Sequence, residues 1–395
     1  MNPTDFGGRN RAIDMFRGLT MLLMITVNDL WSVHGVPAWM EHADTFHDGM
    51  GLADIVFPIF LLTMGMSIPY AIENRFSKGF SGESTLAHIL SRTLALLLMG
   101  SFIVNAEGPM APLTGYGKPV YWLLMTAGFF LIWNRYPKNF KPKPWLQTVG
   151  AVILAFLALT FRTPDGGLFR AGWWGILGLI GWAYAFCAVT WLLCRDKPWK
   201  TALVWAVLII VNMVMTGTRD GGRLESNWIA DFSNALNVGG GSCALMAMTG
   251  ILLSVGSAKL RNGRTGKRIA IALAAAAVLS AGGMLAHKWW IISKNIGTLP
   301  WCLFVSAVAV LFYAFLRILE GRGMTGWFKT IRPAGTATLT VYMMPYIFYS
   351  FYIILSVGSP EWLSGWVGVL KCVLFAFLCI WTAGLLERLG VKLKI

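Results

Sequence analysis

The sequence predicts an all-α protein, a polytopic bundle of about ten to twelve transmembrane helices, and three observations carry that prediction. Of its 395 residues, 56% are hydrophobic and only 13% are charged, where a soluble domain carries about 25% charged residues to keep its surface wet. Apolar runs of membrane-spanning length recur along the whole chain, and mean hydropathy is +0.62. Basic residues gather in every second connection between those runs.

A span of the hydrocarbon core takes roughly 20 apolar residues. Runs that meet this need fall at about 13–33, 52–73, 86–106, 119–134, 145–161, 173–194, 199–217, 238–257, 268–287, 296–317, 330–356 and 364–386. Within a bilayer every backbone amide needs an internal partner, and the short alternating segments of a barrel are missing, so the runs are read as helices. The first run follows Arg9 and Arg11. Later basic connections hold Arg75 and Lys78, then Arg135, Lys138, Lys141 and Lys143, then Arg195 and Lys197. The series continues with Lys259 to Arg268, with Arg317 to Arg332, and with Arg388, Lys392 and Lys394. The intervening connections hold few: none in 34–48, Lys118 in 107–118, Arg219 and Arg223 in 218–236, and none in 357–362. The positive-inside rule then puts both termini in the cytoplasm and the 34–48 loop outside. The 288–295 connection, with Lys288 and Lys294, interrupts the pattern slightly; a marginal or re-entrant segment would reduce twelve spans to eleven or ten.

The chain holds 33 Lys and Arg against 18 Asp and Glu, a net charge of +15. In a polytopic protein that excess follows from basic cytoplasmic loops, so a nucleic-acid partner is not expected. The six cysteines (Cys187, Cys194, Cys243, Cys302, Cys372, Cys379) sit in or beside apolar runs without ligand-like spacing, which supports neither a disulfide framework nor a metal site. No small-residue cleavage pattern follows the first run, and a removed signal peptide is not expected. Residues 1–395 are expected to form one transmembrane domain.

Candidate chemistry concentrates in the external connection 29–53. His34, His42 and His47 lie there with Glu41, Asp44 and Asp48, and Asp54 follows directly. A neutral base near pH 7 beside carboxylates that orient it is how acid–base sites are built. Asp54 opens an apolar run, a costly place for a carboxylate without a partner or a task. Asn28 ends the first span and is expected at the depth of Asp54; its plain alternative is an interhelical hydrogen bond. On the cytoplasmic side Asp14 and Arg17 are three apart on one helix face, and Arg92 lies inside the third span, where an arginine needs a carboxylate or a phosphate. Later in the chain, Lys294 and Asn295 are expected outside, able to meet a polar substrate. Trp289 and Trp290 beside them suit either the membrane interface or a sugar-stacking platform.

The stretch RNRAIDMFRGLTMLLMITVN, then EHA, then GLADIVFPIFLLTMGMSIPYAI, resembles the membrane-bound heparan-α-glucosaminide N-acetyltransferase family and its bacterial relatives. KNIGTLPW and RPAGTATLTVY look like its later motifs, with Gly297-Thr298 where the family often has Trp-Thr, and Thr336 where it often has asparagine. The first 75 residues carry the strongest likeness. The resemblance implies transfer of acetyl from cytosolic acetyl-CoA to an amino sugar or glycan on the external, periplasmic side of a bacterial inner membrane, and it allows a homodimer. It marks His42, Asn28 and Asp54 as catalytic. The loop around ADTFHDG is a few residues longer than the pattern, which keeps His47 as the alternative imidazole. His42 would serve as general base or as acetyl carrier, with Asp54 supporting the ring. Lys294, Asn295 and Trp290 are expected at the acceptor, and Arg17, Arg92 and Asp14 at the coenzyme A end. A proton-coupled secondary transporter is the competing function, although no internal repeat is visible.

Overall fold

In the computed structural model the described residues are 6, 10–111, 117–137, 139–173, 175–216, 239–260, 263–358 and 360–395. Arg9, Lys138, Arg219, Arg223 and Arg261, which enter the charge pattern, lie outside them. The apolar runs are helices: α1 Arg11–Asn28, α2 Leu52–Phe76, α3 Gly82–Glu107, α4 Lys118–Trp133, α5 Lys143–Thr160, α6 Ile176–Cys194 and α7 Pro198–Met215. The series continues as α8 Ser242–Lys259, α9 Thr265–Ala286, α10 Leu299–Gly321, α11 Phe328–Thr336, α12 Thr338–Ile354 and α13 Gly365–Arg388. Among the described residues nine helices are long and apolar enough to cross a membrane, or ten if α11 and α12 count as one span. The protein is an all-α integral membrane protein.

Two details depart from the linear reading. The connection before α10 bounds no re-entrant piece, because α9 runs unbroken for 22 residues up to Ala286. The break falls later, where α11 and α12 meet at 93°. Ala337 stands between them at φ −127°, ψ 40°, outside the helical region, so the run 330–356 is two helices.

The residues group into two compact units. The first comprises Met1–Thr20, Pro37–Thr93 and Leu179–Lys329. Its centre is the packing of α2 against α8. A Cβ on Gly65 would stand 1.9 Å from the Ala247 carbonyl oxygen, and one on Gly250 would stand 2.0 Å from that of Leu62. Glycine at both places lets the two backbones touch, the usual device where apolar helices gain little from a hydrophobic effect between them. Ser254 adds a hydrogen bond of 2.7 Å to the Met66 carbonyl across the same contact. At the far end of α2, Glu73 accepts from Arg195 at 3.0 Å. Asn10 donates to the hydroxyls of Tyr70 and Tyr313 at 3.0 and 3.1 Å.

The second unit comprises Met21–Val36, Leu94–Gly178 and Thr330–Ile395. In it α4 and α5 meet at Gly128 and Gly150, where a Cβ on Gly150 would stand 2.9 Å from the Gly128 oxygen. The C-terminal tail is seated by Lys394 N–H on the Trp133 oxygen at 2.8 Å and by Leu393 N–H on the Thr340 hydroxyl at 3.0 Å. Asp29, fully buried, accepts from Lys371 at 2.8 Å and from the Tyr349 hydroxyl at 2.7 Å. A charge withdrawn from water survives there because its lone pairs are answered.

Candidate active site

Asp54 is the third residue of α2, and its surroundings follow from that place. Its backbone N–H reaches the Gly51 oxygen at 3.1 Å, while its Oδ2 accepts the Gly51 N–H at 2.9 Å, the return half of a capping box. Oδ2 also accepts the Ala43 N–H at 2.9 Å, which folds the preceding loop back over the helix mouth. Pro58, four residues on, has no N–H to give, so the Asp54 carbonyl has no helical partner. The Trp301 indole of α10 supplies one at 3.2 Å. The carboxylate is only 1% exposed, yet a negative charge at a helix N-terminus with two backbone donors is well accommodated.

The remaining oxygen, Oδ1, faces His42 Nδ1 at 2.7 Å, while the His42 side chain is 48% exposed. A carboxylate can only accept, so Nδ1 carries the hydrogen and the lone pair lies on Nε2. Among the described residues no protein group bonds Nε2, which leaves a basic nitrogen open at the surface with its tautomer held from behind. Lys294 completes the cluster, its Nζ 3.2 Å from His42 Nδ1 and 3.9 Å from Asp54 Oδ1. Burial pushes the Lys294 ammonium below the usual lysine range, and the neighbouring Asp54 carboxylate partly opposes this.

Two loops present these groups. Gly49 N–H bonds the Ile292 oxygen at 3.0 Å, Ser293 Oγ the Thr45 oxygen at 2.8 Å, and Asn295 Nδ2 the Thr45 hydroxyl at 3.1 Å. Asp48 receives the Ile292 N–H at 2.8 Å and faces His287 Nε2 at 2.9 Å. Gly297, at φ +74°, turns the second loop into α10, and Asn212 of α7 donates to its oxygen at 2.8 Å. Gly51 has no room for a side chain, since a Cβ would lie 1.9 Å from the Glu41 oxygen. Gly51→Ala is therefore expected to displace the 41–43 strip and lower turnover at least as much as it lowers the unfolding temperature, measured by activity and thermal unfolding on the same preparation.

The structure brings His42, Asp54 and Lys294 into direct contact, with Asn295 bracing the loop beside them. His47 is exposed, and among the described residues its ring makes no hydrogen bond or ion pair. Trp290 is 7% exposed, so its face is covered, while its neighbour Trp289 is exposed. Asn28 is exposed at the end of α1 and belongs to the second unit, where the buried polar residue is its neighbour Asp29. Arg17 pairs with Asp14 at 3.8 Å and donates to Ser67. Arg92 stacks its guanidinium 4.7 Å over the Tyr184 ring. Trp301 and Gly51 were not singled out by spacing; the proline at 58 was the local sign that the Asp54 carbonyl would seek an outside donor.

A family profile described as "Domain of unknown function (DUF5009)" matches residues 9–238. The chain belongs to this DUF5009 family. His42 and Asp54 lie within the matched residues, whereas Lys294 comes later in the chain. The DUF5009 protein is also 33% identical over 181 residues to the heparan-alpha-glucosaminide N-acetyltransferase of Mus musculus, covering 40% of this chain and 27% of the relative. To the Homo sapiens protein of the same name it is 35% identical over 107 residues, 27% of this chain and 15% of the relative. The chain thus spans about a quarter or less of these relatives' length, and the resemblance read from the N-terminal motifs holds at the level of the family.

Proposed function

We propose that this DUF5009 protein is a membrane acetyltransferase that moves acetyl from acetyl-CoA to the amine of an amino sugar on the external face of a bacterial inner membrane. The observation that carries the reading is the His42 imidazole, bound through Nδ1 to a buried carboxylate and open at Nε2. Similarity to two proteins named as N-acetyltransferases supports the reaction class.

In this reading the acceptor amine attacks the thioester carbonyl. The C–N bond forms, the amine proton passes to His42 Nε2, and collapse of the tetrahedral intermediate breaks the C–S bond. The proton on Nε2 then leaves with the coenzyme A thiolate, restoring the neutral ring. Asp54 holds the tautomer throughout and faces the imidazolium while it exists, the role an orienting carboxylate plays in nucleophile–base systems. Lys294 is a positioning residue. As an ammonium it can donate but not accept, so it leaves the Nδ1–H to Asp54; as a neutral amine it can accept that hydrogen and draw the ring away.

The purified protein, given acetyl-CoA labelled in the acetyl group and glucosamine, is expected to release free thiol and form labelled N-acetylglucosamine in equal amounts. Absence of both products across amino-sugar acceptors would remove this reading. A pH profile tests the Lys294 role. Because burial lowers its pKa, kcat/KM is expected to fall on the alkaline side at a pH below the usual lysine range. Lys294→Met should lack that alkaline limb, and Lys294→Arg should move it upward; a limb unchanged in both variants would exclude Lys294 as its source.

A further inference from the structure

A cavity of about 920 Å³ opens in the first unit among α7, α8, α9 and α10. Its walls are mostly apolar, with Leu252, Leu253, Ile269, Ala272, Val310 and Ala314 among the lining residues. Arg268, Arg317 and Arg322 also line it, and among the described residues no acidic one does. Arg268 stands in the first turn of α9 and Arg317 and Arg322 at the end of α10. Since α9 runs into the 287–298 loop and α10 runs out of it, all three arginines sit at the helix ends remote from His42 and Lys294. Arg317 is paired with Glu320.

The combination selects a ligand. A cationic rim above an apolar slot between helices fits an anionic headgroup with a hydrocarbon tail. Of the hydroxyls on the wall, those of Thr249, Ser257 and Tyr313, between the helices, are already engaged, and Thr265 stands at the cationic end. Thr249 donates to the Leu245 oxygen at 2.9 Å and accepts from the Trp205 indole at 2.8 Å, while Ser257 and Tyr313 share a hydrogen bond of 3.2 Å. A pantetheine arm would bring two amides with few groups to receive them, and burying an amide without a partner is costly. An alkyl chain needs none. The helix α9, which forms one wall, exposes Leu273, Val278 and Leu285 on its surface, so hydrocarbon lies beside the slot.

We propose that this cavity binds an anionic phospholipid, with its phosphate at Arg268 and Arg322 and an acyl chain among α8, α9 and α10. The inference does not depend on the acetyltransferase reading. It can be tested because Gly256 borders the cavity and a Cβ there meets nothing within 4 Å, so a side chain introduced at that place starts into the slot from open space.

The test is native mass spectrometry of the full-length protein in detergent, titrated with phosphatidylglycerol or with phosphatidylcholine of the same chains. The wild type should retain phosphatidylglycerol about tenfold or more tightly, the weight of two arginines near a phosphate. Arg268→Gln with Arg322→Gln should lose that preference, and Gly256→Leu should lose retention of both lipids. Coenzyme A in excess should leave the bound phosphatidylglycerol in place. Preference that survives the double arginine variant overturns the proposal, and so does displacement by coenzyme A, which would make the cavity a donor-substrate site. Thermal unfolding of each variant is measured alongside. If Gly256→Leu does not fold, Arg322→Gln alone decides, because that side chain is exposed and its loss should still weaken the preference.

Discussion

His42→Ala should abolish acetyl transfer, lowering kcat/KM by about 10²- to 10⁴-fold, the usual contribution of a positioned general base. His47→Ala should leave turnover near the wild-type level. The contrast follows from the partners of the two rings: Asp54 holds Nδ1 of His42 at 2.7 Å, whereas the exposed ring of His47 has no such support. Asp54→Asn isolates the role of the carboxylate. The new amide keeps the shape but can donate as well as accept, so it can favour the opposite tautomer and remove the lone pair from Nε2. A loss of about 10⁴ in kcat, as found when the orienting carboxylate of a serine-protease triad becomes an amide, is the scale to expect. Asp54 also receives the N–H groups of Ala43 and Gly51, so part of that loss would come from a loosened loop. Circular dichroism and thermal unfolding on the same samples separate the two contributions, because His42→Ala removes the base while leaving those loop bonds in place. Equal activity in wild type and His42→Ala would exclude the imidazole from the chemistry.

The second large effect lies in folding. Gly65→Val and Gly250→Val each force a side chain into the partner helix, where the nearest atoms are the carbonyl oxygens of Ala247 and Leu62. Overpacking a core with extra methylenes costs about 1–3 kcal/mol when side chains can yield. Here the obstacle is backbone on both sides, so α2 and α8 must separate. Little monodisperse protein should be recovered by size-exclusion chromatography in detergent, with a lowered unfolding temperature for what remains. Gly266→Val is the control, since a Cβ at that position meets nothing within 4 Å. If all three variants behave alike, the close α2–α8 contact does not hold the unit together.

Much of this was legible in the order of residues. Apolar runs long enough to span a membrane must be helical because lipid offers backbone amides no partner, and the observed helices α1 to α13 follow those runs. The cost of a carboxylate at the mouth of such a run singled out Asp54. The bend between α11 and α12 was missed in reading 330–356 as one run, although Arg332 and Pro333 mark the stretch before TLTVY as a poor continuous span. Asp29 was not legible, since its burial depends on Lys371 and Tyr349 more than 300 residues away.

By itself, then, the sequence determined the helical membrane architecture, the family and the short list of polar residues with a reason to be where they are. Those properties rest on local composition and periodicity, which a linear chain displays in full. Only the tertiary structure decided which of them meet: Lys294 stands 3.2 Å from a histidine 252 residues earlier, and Trp301 of α10 answers the carbonyl that Pro58 left open. The choice of His42 over His47 as the ring facing Asp54 is of the same kind. A loop's side chains are aimed by the bonds that stitch it to a distant loop, here Thr45 to Ser293 and Asn295, and no local pattern encodes those distances.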